Sequence, residues 1–179
     1  MYKDFERVLI SKQDIAKRIS ELAKQLDSDY EGKNPLFIGI LKGSVLFTAD
    51  LLRALSIPCQ MEFMAVSSYG NDTKSSGEVK LIKDLNVPIE NRHVVIVEDI
   101  VDSGNTLSYL KRLLEQRKPA SVKIITLLDK PSRRKVELVP EYCGFSIPDE
   151  FVVGYGLDYN EDYRAFDEVY ILKREVYEK

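Results

Sequence analysis

The sequence predicts an α/β fold, a central parallel twisted sheet flanked by helices. One observation is a set of short, mainly apolar runs: LFIGIL at 36–41, VVIV at 94–97, which has no polar break, and VKIITLL at 122–128. Runs of that length, rich in β-branched residues, suit strands buried on both faces of a parallel sheet. The second is what separates them. Ile15, Ile19, Leu22 and Leu26 recur at helical spacing, as do Leu107, Leu110, Leu113 and Leu114, so strands and amphipathic helices alternate.

Taken in order, Ser11 and Asp14 form a short-armed capping arrangement before the first helix. Residues 30–35 form a polar turn. The strand at 36–41 ends in Lys42-Gly43-Ser44, and a helix is expected over 45–55. Such a turn can offer backbone N–H groups and a cation to an anion. It is equally a solvated lysine beside a turn glycine. Residues 61–66 form a third apolar stretch, which runs into a polar segment at 67–77 that is long enough to serve as a lid. A returning strand is expected over 78–85. His93, the only histidine, reads as a strand-end residue without an obvious partner.

The most informative stretch is HVVIVEDIVDSGNTL at 93–107. Two carboxylates, Glu98 and Asp99, follow the apolar run at once, then Asp102, Ser103, Gly104, Asn105 and Thr106 lead into a helix. Ligands of open α/β sheets bind at the carboxyl ends of strands. A small, hydroxyl-rich loop at a helix start offers N–H groups to a phosphate. Acids beside a phosphate cradle call for a cation or sugar hydroxyls, so a phosphorylated sugar is the expected ligand. The plainer alternative is that these acids cap the helix. Neither a Walker loop nor a GxGxxG turn is present.

Further on, the strand at 121–128 is closed by Asp129-Lys130-Pro131. Lys130 lies on the same rim as the acids, and Arg133, Arg134 and Lys135 read as a solvated basic face or a subunit contact. Phe151 opens a short strand, and a final strand is expected over 166–172. The chain has 179 residues, 44% hydrophobic and 31% charged, with net charge −3. That gives no reason to expect nucleic acid as the main partner. Cys59 and Cys143 show no metal-ligand spacing and read as reduced, buried thiols. No apolar run approaches the roughly 20 residues of a membrane span, so a cytoplasmic protein is expected.

VVIVEDIVDSGNTL resembles the 5-phosphoribosyl-1-pyrophosphate loop of the type I phosphoribosyltransferases. Asn105 stands where that family often has Lys, Arg or Leu. LKGSVLFTADL resembles the family's pyrophosphate loop, with a cis peptide implied at Leu41–Lys42. Ser68-Tyr69 matches its flexible catalytic loop. PDEFVVGYGLDYNEDYR at 148–164 resembles the purine-binding hood of hypoxanthine-guanine phosphoribosyltransferases of bacterial type. The resemblance implies one domain over 1–179, with a core at about 36–140 and a hood built from the N-terminal segment and about 141–179. It assigns Asp102 as general base. Glu98, Asp99, Asp102, Ser103, Gly104, Asn105 and Thr106 would bind the phosphoribosyl group, and Lys42, Gly43 and Arg164 the pyrophosphate. Lys130, Phe151, Val152 and Asp158 would contact the purine, while Glu98, Asp99 and Asp158 would hold Mg²⁺. A homodimer or homotetramer is expected, with a 6-oxopurine and the ribose donor as substrates. Three other readings remain: a regulator of the same fold that senses the donor while binding nucleic acid, a phosphorylation-type receiver domain, and a pyrimidine phosphoribosyltransferase.

Overall fold

The computed structural model describes residues 2–68 and 79–178. Its larger sheet has six strands in the order β4-β3-β2-β5-β6-β7. These are β2 (Leu36–Leu41), β3 (Gln60–Ser68), β4 (Val79–Lys83), β5 (His93–Val101), β6 (Ser121–Asp129) and β7 (Tyr142–Ser146). All neighbours pair in parallel except the antiparallel edge strand β4. β1 (Phe5–Ile10), β9 (Val169–Leu172) and β8 (Val152–Val153) form a separate antiparallel sheet. The expected α/β architecture is therefore present, with the N- and C-terminal strands joined as the sequence suggested. β7 lies beyond the core limit expected near residue 140, yet it pairs with β6 in the larger sheet.

The central strand shows why its apolar run has no polar break. Val95 and Val97 pack among Ile15, Ile19, Phe47 and Leu51, from α1 (Lys12–Asp29) and α2 (Val45–Ala54). Val94 and Ile96 face the other way, among Leu107, Leu110 and Leu114 of α3 (Asn105–Glu115). Alternate side chains of one strand thus fill two cores. Ser11 caps α1 as expected, its hydroxyl accepting from the Asp14 N–H at 3.2 Å.

Three expectations need correction. β5 does not end at Val97 but runs to Val101, so Glu98 and Asp99 sit within the strand, with Glu98 opposite Thr126 of β6. Pairing with β2 stops at Val97, and the parallel ladder with β6 alone carries the strand on through the charged residues. His93 does have a partner: its Nδ1 lies 2.8 Å from Ser121 Oγ, across the start of the neighbouring strand. Cys59 and Cys143 are free as expected, but only half-buried. Among the described residues, no helix is long and apolar enough to cross a membrane.

Candidate active site

The carboxyl ends of β2, β5 and β6 and the small sheet converge on one rim. β5 delivers Glu98 almost completely buried. Burial pushes its carboxyl well above the ordinary carboxylate range, and the adjacent Asp99 raises it further. Asp99 is itself raised, chiefly by burial. Two acids held so close in a low-dielectric setting repel one another unless a proton or a cation intervenes.

Beyond Val101 the chain turns through Asp102-Ser103-Gly104 into α3. Gly104 is the helix N-cap at φ +83°, a left-handed conformation that glycine adopts without steric cost, and among the described hydrogen bonds no acid accepts an N–H of the first turn of α3. The acids therefore do not serve as caps. The turn encloses a cavity of about 170 Å³, lined by Glu98, Asp99, Asp102, Ser103, Gly104 and Thr106 among others. Asn105 opens α3 and is exposed, its N–H donating to Ser103 Oγ at 3.3 Å.

A second cavity of about 330 Å³ lies alongside, lined by Asp99, Asp102, Lys130, Phe151, Val152 and Asp158 among others. Lys130 is 7% exposed. Burial lowers its pKa, while Asp102 and Asp149 oppose that shift. Its Nζ lies 3.8 Å from Asp149 Oδ1. Phe151 stacks on Tyr177 at 4.6 Å between ring centroids and meets Tyr159 edge-on.

The third component is the turn after β2, whose Leu41–Lys42 peptide is cis, as the resemblance implied. A Cβ at Gly43 would collide with the Asp99 carboxylate, and a Cβ at Gly156 would collide with the Gly43 carbonyl. Turn, strand and hood touch here only because both positions are glycine. Lys42 Nζ pairs with Glu161 at 2.8 Å, and Arg164 pairs with Asp158 at 2.9 Å and Glu161 at 3.5 Å. Arg164 Nε is buried without a partner. Lys42, Gly43 and Arg164 are therefore neighbours, although they are up to 122 positions apart in the chain.

One expectation does not hold in the form given. The basic face at 133–135 is not simply solvated. Arg134 is largely buried against Asp129 and donates to the Asp102 carbonyl at 2.9 Å. Arg133 Nε lies 2.6 Å from Asp102 Oδ1, and its Nη1 lies 3.2 Å from Asp149. Among the described residues no three His, Cys, Asp or Glu side chains are gathered into a ready-made metal site. Arg164 holds Asp158 Oδ1, and the Glu161 N–H donates to its Oδ2. Ser68 ends β3, and Tyr69 and the rest of the expected lid lie outside the described residues. Sequence reasoning missed Arg133, Arg134 and Asp149. The only available signal was two arginines directly after a rim lysine and a proline.

The family model described as a phosphoribosyl transferase domain matches residues 9–160. The bifunctional protein TilS/HprT of Listeria monocytogenes is 54% identical over 99% of this chain, which spans only 27% of that protein's length. Hypoxanthine-guanine phosphoribosyltransferase of Bacillus subtilis is 53% identical, with 99% of both chains covered. The crystal structure of a hypoxanthine phosphoribosyltransferase from Staphylococcus aureus superposes with a TM-score of 0.96 at 49% identity, covering 100% of this chain and 97% of that one. Likeness of this extent leaves no segment of the fold to another ancestry: the chain belongs to the type I phosphoribosyltransferases, in their hypoxanthine-guanine branch.

Proposed function

We propose that this protein transfers the phosphoribosyl group of 5-phosphoribosyl-1-pyrophosphate to N9 of a 6-oxopurine, releasing pyrophosphate in purine salvage. One observation carries the reading. The two cavities share Asp99 and Asp102, so a phosphorylated ribose in the smaller would present C1 to a flat base in the larger.

The reaction develops positive charge on the sugar and negative charge on the leaving pyrophosphate. A site stabilises it by placing anions near the first and cations near the second. Glu98 and Asp99 lie on the sugar side, and Lys42 and Arg164 on the other. Both cations are now paired with Glu161, so bound pyrophosphate would exchange those partners. Asp102 takes the proton from N7 as N9 bonds to C1. Ser103, Gly104, Asn105 and Thr106 receive the 5′-phosphate, chiefly through backbone N–H groups.

Lys130 selects the base. An ammonium group only donates, so it suits a 6-oxo acceptor and opposes the 6-amino group of adenine. Phe151 supplies an aromatic face for the purine, and the Val152 backbone reads its edge.

The donor set fits Mg²⁺, which takes oxygen ligands and binds protein through one or two carboxylates plus phosphates. A closed three-acid cage is not needed. Glu98, Asp99 and Asp158 would hold it, and when bound it neutralises charge on the pyrophosphate. We further propose a cytoplasmic homodimer or homotetramer.

The test is a steady-state assay of purified protein with Mg²⁺, the ribose donor and hypoxanthine, guanine, xanthine or adenine. Pyrophosphate release with hypoxanthine and guanine is expected. Turnover of adenine with none for hypoxanthine would contradict the role of Lys130.

A further inference from the structure

Three successive carbonyls of the Asp102 turn are each held by the segment that follows β6, none of whose donor residues lines the turn's cavity. Val101 O accepts from the Lys130 N–H, Asp102 O from Arg134 Nη1 and Ser103 O from the Lys135 N–H, each at 2.9 Å. An anion nest requires this arrangement, because a carbonyl oxygen turned inward would repel the phosphate that the N–H groups attract. The outer two tethers use backbone donors. The middle one is a side chain.

Arg134 is built for that position. Its other arm pairs with the Asp129 carboxylate, and the two side chains are only 14% and 12% exposed. Its stem packs on the turn, since a Cβ at Gly104 would lie 3.0 Å from both Arg134 Cδ and Val136 Cγ2. A planar guanidinium can serve a carboxylate and a carbonyl at once along fixed directions, whereas an ammonium group cannot reproduce that fork.

We propose that Arg134 is a positioning residue for the 5′-phosphate nest, holding the Asp102 carbonyl outward so that the following N–H groups face the anion. This rests on the reading of the turn as the phosphate site. Arg134 does not touch substrate. Its removal frees the Asp102–Ser103 peptide to rotate and puts an acceptor where the phosphate binds.

The test compares binding of inosine monophosphate with that of inosine by titration calorimetry, together with KM for the donor and for hypoxanthine. In Arg134→Met, a lost charge-assisted hydrogen bond should weaken monophosphate binding about tenfold or more. Inosine affinity and the hypoxanthine KM should stay within about twofold of wild type, while the donor KM rises with the monophosphate Kd. Arg134→Lys should recover only part of the loss.

Because Arg134→Met strands a buried carboxylate, Asp129→Asn/Arg134→Met is measured beside it. If Arg134 only neutralises Asp129, the double variant regains wild-type monophosphate affinity, and that result overturns the proposal. An equal loss for inosine overturns it too. A wild-type protein that binds no monophosphate would instead overturn the functional reading itself.

Discussion

Two turns flank the site, Lys42–Ser44 after β2 and Asp102–Thr106 after β5, and they present different groups to any anion. Both follow a buried parallel strand and lead into a helix. The first rises from an entirely apolar strand and offers a side-chain charge: Lys42 is two-thirds exposed and paired with an equally exposed Glu161. Its Ser44 is fully buried and turned inward, donating to the Ile40 carbonyl at 2.7 Å. The second rises from buried acids and offers backbone, with a left-handed glycine and three carbonyls tied back, one of them by Arg134. A flexible lysine suits a leaving group that must depart. A fixed nest suits a phosphate that stays with the sugar throughout.

The largest test of this contrast is Asp102→Asn, since the second turn should also carry proton transfer. A positioned base contributes roughly 10²–10⁴-fold, so kcat should fall at least about tenfold while nucleotide binding survives. Unchanged turnover would remove Asp102 from the mechanism.

Next comes Gly104→Ala, which strikes the nest itself. A Cβ at φ +83° costs about 1–2 kcal/mol and crowds Arg134 and Val136. The donor KM should rise, and Tm should fall by roughly 2–4 °C per kcal/mol lost. Wild-type values for both would show the turn to be more compliant than its geometry indicates.

Lys42→Ala should do less. Its ion pair is exposed and contributes little to stability, so Tm should not move. The donor KM should rise a few-fold, more at low salt than at high. A large drop in Tm would mean that the first turn is as structural as the second.

The smallest effect concerns the acidic stem of the second turn. Burial raises Glu98 in the folded state, so its contribution to stability is fully present below its unfolded pKa and is lost as pH rises through the folded value. Glu98→Gln should therefore raise the Tm of the ligand-free protein at neutral pH and flatten its dependence on pH, while activity falls. Lower stability at neutral pH would show the Glu98 carboxylate to be well solvated.

Much of this was legible in one dimension because the physics is local. A run such as Val94–Val97 has no polar residue to turn toward water, so it must be covered on both faces, and the helices that cover it announce themselves by their spacing. The two turns likewise carried their residue types openly. Other features belong to no single stretch. Arg133 and Arg134 read as solvated in sequence because the groups that bury or engage them come from the end of β6 (Asp129) and from two other turns (Asp102 and Asp149). Glu161 and Tyr163 adopt left-handed backbone at φ +67° and +76° in the hood, which only surrounding contacts can impose on residues of that kind.

The sequence by itself determined most of the helices and the buried core strands, though not β1 or β7, and which residues could bind a phosphate or a sugar. Period and side-chain chemistry suffice for that. Only the tertiary structure decided that Glu98 is buried within a strand rather than on a bend, that Lys42 meets Glu161, and that Arg134 ties back the Asp102 carbonyl. These depend on strand register and on groups far apart in the chain being brought together, some in a low-dielectric interior and some, such as Lys42 and Glu161, at the surface.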